Sequence, residues 1–429
     1  MTDEHRALVA HLFRRAGFGA STGELDKYGA RPYGDAVEAL VNPDVTNRDR
    51  SSRLNQTSGG AGAQASLADA QEGWLKTMVA SRAPLVERMT LFWANHFATA
   101  YDPGSNVDVA ALLDQQATIR KYTLGSFADL AHAMIDDRAL SCYLNNDRST
   151  KAKPNENLAR ELMELFLLGL GTYTEEDVKE TARALTGYHL VEAAPRVPPT
   201  LVYDKHRHDD GPKTILGVTA NFTPHGVVDL LLNQRAARQH IATKLVTHFV
   251  GPSPDPVLVG TVASSLAPDW DVQKALRVIF YSQQFRSETA RQTLPKTPAE
   301  FVVGLMRPLE RTEVYEGFAY MAQAGQTLFR PPSVAGWPIG KRMLGPGAML
   351  ARYNAASTFA RFHVNAPAAS APAGPELTSW MEAFGMTSLS PTTLDALKTY
   401  SDATVKQPSA VRTAGLLTVL LSSPDFNLA

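Results

Sequence analysis

The sequence contains a single cysteine, Cys142, among its 429 residues. One thiol excludes an intramolecular disulfide, and it excludes cysteine-ligated zinc sites and iron–sulfur clusters, which need several thiolates. Long apolar runs are also missing, since no stretch reaches the roughly 18 apolar residues that a membrane-spanning helix requires. The sequence therefore predicts a fold without disulfides and without a transmembrane segment.

Neither sign of charge is in excess, because 42 Lys and Arg residues stand against 43 Asp and Glu residues and the formal net charge is −1. A dedicated nucleic-acid-binding protein would show a basic excess or a basic stripe, so we expect no nucleic acid as a partner. The hydrophobic fraction of 44% is enough for a large core, which excludes a generally disordered chain.

The amino terminus lacks the apolar segment of a secretory signal peptide. The pair Arg14-Arg15 is followed by Ala-Gly-Phe-Gly at 16–19, where twin-arginine export would need an apolar run. We therefore expect a cytoplasmic location, with export by another route left open.

Apolar residues recur mainly at the three- and four-residue spacing of an amphipathic helix, as at Leu85, Met89 and Phe92. The predicted fold class is mainly α: an orthogonal or bundle-like multi-helix domain with long loops and few or no strands. The best strand candidate is the segment 214–218. Helix start signals agree with this pattern; they are the capping boxes Ser21 with Glu24 and Thr174 with Asp177, and the N-cap Asn155.

Composition divides the chain into a large helical part and a smaller one. We expect a main helical domain over 1–364, with a flexible loop at 55–66 and a long polar loop at 193–214. An Ala/Pro-rich linker at 365–376 then leads to a helical segment, 377–429, which is expected to pack on the main domain.

The helix that begins after Asn155 carries two carboxylates close to its apolar face. Glu161 falls at the edge of the apolar face that Leu158 and Leu162 define, where an unpaired carboxylate is costly. Glu164 lies one step further round the helix. Either carboxylate is a candidate general acid or base, and either is a candidate metal ligand.

The same helix allows a structural interpretation. Glu156, Arg160 and Glu164 are spaced four residues apart and can satisfy one another as ion pairs on the surface. If the helix lines a site instead, Asn155, Glu156 and Arg160 are candidate substrate-binding residues, with Arg160 positioning an anionic group.

Two further stretches concentrate polar side chains. His96 lies on the apolar stripe of its helix, so its ring should face the interior, as a core histidine or as a ligand. The loop around His208, Asp209 and Lys213 gathers imidazole, carboxylate and ammonium groups, which suit an anion or a metal but also occur in ordinary turns.

The rigid turn 331–337 ends in Trp337, which either lines a pocket or packs between helices.

A divalent metal ion is a cofactor that these residues leave open, with His96, Glu161, Glu164 and His208 as candidate ligands. The usual di-metal signature of helical bundles, Glu-x-x-His on two helices, is absent, and so is His-Glu-x-x-His. The same side chains without a metal suit general acid–base hydrolysis. A dinucleotide-binding fingerprint and a P-loop are missing from the sequence.

Several segments spread over nearly the whole chain resemble the bacterial family catalogued as domain of unknown function 1800, and they occur in the same order as in that family. The segments that carry the resemblance are Leu12–Gly19, Phe92–Phe97, Pro154–Asn157, Glu161–Phe166, Tyr173–Glu175, Arg183–Gly187, His208–Thr214, Pro331–Trp337, Arg352 and Asn354.

The resemblance implies a partner more clearly than a reaction. Genes of that family often neighbour genes of domain of unknown function 1501, a family that looks like the alkaline-phosphatase and sulfatase superfamily, so a protein of that kind is the implied partner. Many members carry a second histidine where this sequence has Ala94, which puts a two-histidine metal site at this helix in doubt.

The leading hypothesis is a hydrolase-type enzyme with a polar site between the His96 helix and the Glu161 helix, covered by the long polar loop. Glu161 is then the acid–base group or a metal ligand, with His96 as its partner or as a second ligand, and Glu164, His208 and Asp209 complete the site. The candidate substrate-binding residues of this hypothesis are Asn155, Glu156, Arg160, Lys213 and Trp337. The alternative is a non-catalytic helical scaffold or binding subunit of a two-protein system, in which the same polar groups lock helices together.

Overall fold

The computed structural model describes residues 3–44, 66–192, 194, 197–309, 315–364 and 377–429. The predicted linker 365–376 lies outside the described residues, as does the predicted loop 55–66 apart from Ser66. The predicted mainly α fold is confirmed. The α-helices are α1 Asp3–Ala16, α2 Thr22–Gly29, α3 Tyr33–Val41, α4 Leu67–Ala80, α5 Pro84–His96, α6 Val109–Tyr122, α7 Phe127–Ile135, α8 Arg138–Tyr143, α9 Glu156–Glu161, α10 Glu175–Ala184, α11 Pro224–Leu232, α12 Arg235–Phe249, α13 Pro256–Ser265, α14 Val272–Tyr281, α15 Gln283–Arg286, α16 Pro298–Met306, α17 Tyr315–Gln323, α18 Pro346–Val364, α19 Leu377–Ala383, α20 Pro391–Ala403, α21 Ser409–Ser422 and α22 Pro424–Asn427.

Short elements connect these helices. The 3₁₀ turns are Pro103–Ser105, Asn146–Arg148, Glu288–Ala290, Arg307–Leu309 and Gly340–Met343. The strands are β1 Tyr188–Val191, β2 Thr200–Tyr203, β3 Lys213–Ile215 and β4 Val218–Ala220. None of the helices in the described ranges combines the length and the apolar character that crossing a bilayer requires.

Local capping fixes where several helices begin. Ser21 with Glu24, and Thr174 with Asp177, form the reciprocal bonds of a capping box, and the Asn155 side chain accepts the N–H of Asn157. These contacts satisfy N–H groups that the first helical turn leaves without a partner. The three predicted helix starts are confirmed.

The strands form two antiparallel hairpins. In β1–β2 the register runs from Tyr188 opposite Tyr203 to Val191 opposite Thr200, so the expected loop 193–214 contains a strand. The β-branched and aromatic residues at 200–203 favour that extended pairing. The strand candidate 214–218 is the β3–β4 hairpin, whose turn residues Leu216 and Gly217 both have positive φ.

The segment after Asn155 departs from a regular helix. α9 ends at Glu161, and residues Leu162–Leu167 continue it as a π-helix. Its last carbonyls, those of Leu165 and Phe166, fall in the turn where a helix leaves carbonyl groups without an intrahelical partner. Side chains from other helices bind these two carbonyls, which makes this end of the π-helix an anchoring point.

Two clusters of buried apolar side chains form the core. The first is built mainly by α1–α3, α7 and α9–α14, and the second mainly by α4 and α16–α22. α5 contributes to both, since Met89 and Trp93 belong to the first cluster, Leu91 belongs to the second, and Ala94 packs against each. His96, the last residue of α5, therefore lies close to the junction of the two clusters.

Candidate functional site

Arg160 belongs to an ion-pair network on the surface. Its guanidinium contacts Glu156 across one helical turn at 3.2 Å and Glu175 of α10 at 2.7 Å. The two carboxylates raise the pKa of Arg160 above its ordinary range. Asn155 caps the same helix. The three polar residues proposed to bind substrate here thus have partners within the chain.

Glu161 and Glu164 lie together, half-buried, at the start of the π-helix. Burial, and then the charge of Glu164, raise the pKa of Glu161. Glu164 accepts a hydrogen bond from the Tyr173 hydroxyl at 3.1 Å. His96 bonds to neither carboxylate, because both of its ring nitrogens have other partners.

The loop after β2 forms a network centred on Arg183 of α10. Arg183 pairs with Asp209 at 2.7 Å and with Glu180 at 2.8 Å. The hydrogen bonds that Arg183 donates, and then its charge, lower the pKa of Asp209. Lys213 is fully buried, and its ammonium donates to three carbonyl oxygens, those of Asp209, Gly211 and Phe222.

His208 is held in the same network. Its Nδ1 lies 2.9 Å from the carbonyl oxygen of Thr186, and its Nε2 lies 3.2 Å from that of Phe222. The His208 ring is buried, so its polar atoms serve the fold of the loop. The side chains of His208, Asp209 and Lys213 thus all have partners within the chain.

The candidate metal ligands His96, Glu161, Glu164 and His208 do not form a metal centre in the described structure. Across the ranges that the structure describes, no three histidine, cysteine, aspartate or glutamate side chains are placed so that they could share a metal ion. A metal-binding role for these four residues therefore stays a prediction from the sequence.

His96 has a partner that the sequence did not suggest. Its Nε2 lies 3.0 Å from the carbonyl oxygen of Phe166, so this nitrogen carries the hydrogen and donates it. Its Nδ1 then presents a lone pair to the ammonium of Lys244 at 2.9 Å. Burial, and then the Lys244 charge, hold the pKa of His96 well below its ordinary value, which keeps the imidazole neutral.

Lys244 occupies the middle of α12 and is held from two sides. Besides the bond to His96, its Nζ donates to the carbonyl oxygen of Leu165 at 2.9 Å. The same carbonyl accepts the Nε2–H of His240, one turn earlier on α12, at 3.0 Å. Burial lowers the pKa of Lys244 to about 8, and burial with the Lys244 charge lowers the pKa of His240 to about 4.

The sequence did contain a signal for this helix. His240, Lys244 and His248 recur every four residues on α12, so three basic side chains share one face of a helix that also buries Ile241 and Leu245. A basic stripe next to an apolar one is a pattern that periodicity alone can detect. The partner of Lys244, His96, lies 148 residues away in sequence, and that pairing has no local signal.

His96 and Lys244 line a pocket of about 590 Å³, called here the His96 pocket. Its opposite wall is the turn 332–339, which contributes Trp337, and the ring of Phe92 adds apolar surface. Trp337 is 5% exposed and also belongs to the second hydrophobic cluster, so it both packs and lines the pocket.

Asn95, beside His96, fixes this wall. Its Oδ1 accepts the backbone N–H of Trp337 at 2.6 Å. Gly336 has a φ of +83°, and a Cβ on it would lie 2.2 Å from the Asn95 Oδ1. Only glycine fits at this position, because a side chain would displace the turn from α5.

The fold and the pocket together define a mainly α protein in which a partly buried lysine is hydrogen-bonded to a buried histidine in the wall of a cavity. The chain belongs to the family described as protein of unknown function (DUF1800), whose model matches residues 11–428. The family resemblance expected from the sequence is thereby confirmed. No curated protein and no solved structure matches the chain at a significant level.

Proposed function

We propose that the protein is a hydrolase-type enzyme in which Lys244 is the acid–base group and His96 positions it. The observation that carries this proposal is the partly buried hydrogen bond between Lys244 and His96 in the wall of the His96 pocket. The reaction class is the one expected from the sequence, but the proposed acid–base group is Lys244 instead of Glu161.

The proposed chemistry depends on the protonation state of the Lys244 side chain. With a pKa of about 8, Lys244 is present both as amine and as ammonium near neutral pH, as an efficient acid–base group requires. The amine takes a proton from an attacking water molecule, and the resulting ammonium returns a proton to the leaving group. The two acceptors of Lys244, His96 Nδ1 and the Leu165 oxygen, hold the nitrogen at one place during this cycle.

The walls of the His96 pocket limit the substrate class. Phe92 and Trp337 present aromatic surface, while Thr247 and Ser333 place hydroxyl-bearing residues in the same wall. A small organic molecule with an apolar part next to a hydrolysable bond fits this combination. Glu161, His208 and Asp209 are not used in this proposal, because they do not line the His96 pocket, and the loop network engages His208 and Asp209.

A panel of chromogenic substrates tests the proposal: p-nitrophenyl acetate, p-nitrophenyl phosphate, bis-p-nitrophenyl phosphate and L-alanine p-nitroanilide. Lys244→Met is compared with Lys398→Met, a matched change at an exposed lysine of α20. We expect turnover that Lys244→Met lowers at least about a hundredfold and Lys398→Met leaves unchanged. Equal activity of Lys244→Met and wild type would contradict the assignment.

A binding subunit of a two-protein system is the second candidate function, and one surface feature favours it. The first turns of α18 expose Met349, Leu350 and Tyr353 on one face, and Leu350 is 60% exposed. The test is co-purification of the wild-type protein and of Leu350→Asp with a protein of the domain of unknown function 1501 family. Co-purification that this variant abolishes, together with no turnover on the panel, would favour the binding subunit over the enzyme.

A further inference from the structure

A second pocket, of about 450 Å³, adjoins the His96 pocket and is called here the arginine pocket. The two share four wall residues, which are Thr247, His248, Ile339 and Arg342. The arginine pocket has a different character, because its wall contains four arginine or lysine side chains and one acidic side chain. The basic residues are Arg15, Arg88, Lys341 and Arg342, and the acidic residue is Glu300.

Arg15 is the most confined of these cations. The residue is 1% exposed, and its Nη2 donates to the carbonyl oxygen of Ala290 and to the Thr293 hydroxyl. Its Nε and Nη1 have no hydrogen-bond partner anywhere in the described part of the chain. A buried charged donor without an acceptor is costly, and Arg15 is a wall residue of the arginine pocket, so an oxygen ligand held in this pocket would lower that cost.

Glu300 does not supply that ligand, because Arg88 engages it. Arg88 and Glu300 are both buried, and Nη1 of the arginine lies 2.5 Å from Oε1 of the carboxylate. Arg352 and Lys296 are buried in the same region, where burial, and then the Arg14 charge, lower the pKa of Lys296 well below its ordinary value. The charge of Glu300 thus acts on several buried cations, and this carboxylate is already paired with Arg88.

The other acidic and carbonyl groups nearby are also engaged. Asp425 accepts hydrogen bonds from Ser390 and Thr393. The backbone oxygen of Ala429, another wall residue, accepts the N–H groups of Thr293 and Leu294. Among the side chains of the wall, four arginine or lysine groups therefore stand against one carboxylate, that of Glu300.

We propose that the arginine pocket binds the oxyanion of a small molecule, either a carboxylate or a phosphate group. An oxyanion accepts several N–H groups at once, and the planar guanidinium fork of Arg15 suits both of these groups. Lys341 and Arg342 are exposed and attract the anion from solvent. This inference stands on the wall of the arginine pocket and needs no acid–base role of Lys244.

Isothermal titration calorimetry at constant ionic strength tests the proposal, with inorganic phosphate in one arm and citrate in the other. Tighter binding of phosphate identifies a phosphate site, and tighter binding of citrate identifies a carboxylate site. Lys341→Gln/Arg342→Gln is the main variant, because both side chains are exposed and the fold does not depend on them. The matched control is Lys398→Gln/Lys406→Gln, which removes the same charge from exposed positions elsewhere.

We expect wild type and the control to bind with the same Kd within twofold, and the Lys341/Arg342 variant to bind at least tenfold more weakly. Lys244→Met should bind the anion as wild type does, which separates this test from that of the proposed enzyme. Arg15→Met, if it folds, should abolish binding. Absence of binding by wild type, or equal weakening in the variant and the control, would overturn the proposal, since the cations would then be neutralised within the chain.

Discussion

The molecule contains two concentrations of buried charge, and they differ in how their polar atoms are satisfied. In the loop network around Arg183, the side chains of Asp209, His208 and Lys213 all bind groups within the chain. In the walls of the two pockets, Lys244 lines a cavity and Arg15 keeps donors without acceptors. The first arrangement is closed, whereas the second leaves room for a further molecule.

This difference between satisfied and unsatisfied polar groups helps to distinguish a structural network from a functional site. A polar network whose members are all satisfied stabilises one arrangement of the chain, whereas an unsatisfied buried group costs free energy and is typical of functional positions. Polar residues are dense in the sequence at both 156–164 and 206–213, yet the structure uses them mainly to join helices and loops. The pocket residues are sparser in sequence and meet only in the fold.

Breaking the closed network should have the largest effect on stability. Lys213→Met keeps the buried stem but removes the donor for three carbonyl oxygens, so we expect the free energy of unfolding to fall by about 3 kcal/mol. Urea unfolding measures this change. Lys205→Met, at an exposed position of the same loop, should stay within about 0.5 kcal/mol of wild type. A loss below 1 kcal/mol for Lys213→Met would mean that the network is not structural.

The contribution of Lys244, in the wall of the His96 pocket, to the free energy of unfolding should depend on pH. The pKa of Lys244 is about 8 in the folded protein against an ordinary value of 10.5, so between these pH values the unfolded chain binds more protons than the folded one. The free energy of unfolding of wild type should therefore rise from pH 8 to 10.5 relative to Lys244→Met, by about 1–3 kcal/mol. Urea unfolding at several pH values measures the difference between the two proteins. A difference that stays constant over this range would show that the lysine is not desolvated.

The smallest effect is expected for Glu161→Gln. Burial raises the pKa of Glu161, so its ionised form costs stability above the ordinary carboxyl pKa, and the amide removes that cost. Because the side chain is only half-buried, we expect a gain below about 1 kcal/mol at pH 7 that vanishes at pH 4. Thermal unfolding at both pH values checks this. A loss of several kcal/mol would instead place Glu161 in a closed structural network.

Local features of the fold could be predicted from the sequence. The caps at Ser21 and Thr174 and the buried position of His96 follow from neighbours within one or two helical turns, which is the range over which periodicity and capping act. The half-buried position of Glu161 follows from the same angular argument.

Two features depend on long-range contacts and could not be predicted. The residues Leu162–Leu167 suit a regular α-helix, so their π-helical backbone is set by the packing around it. The bonds from His96 and Lys244 to the carbonyls of Phe166 and Leu165 join three segments that are distant in sequence. No pattern within one segment specifies that meeting point.

Competitive acetylation of the native protein tests the central claim most directly, because it reads the Lys244 amine without a known substrate. Trace acetic anhydride is applied from pH 6 to 11 together with a lysine-containing model peptide, and the modification of Lys244 is quantified by mass spectrometry. We predict that Lys244 is reached and that its reactivity rises with a midpoint near pH 8, against about 10.4 for the peptide. A midpoint equal to that of the peptide, or no modification at any pH where the protein is folded, would contradict the account.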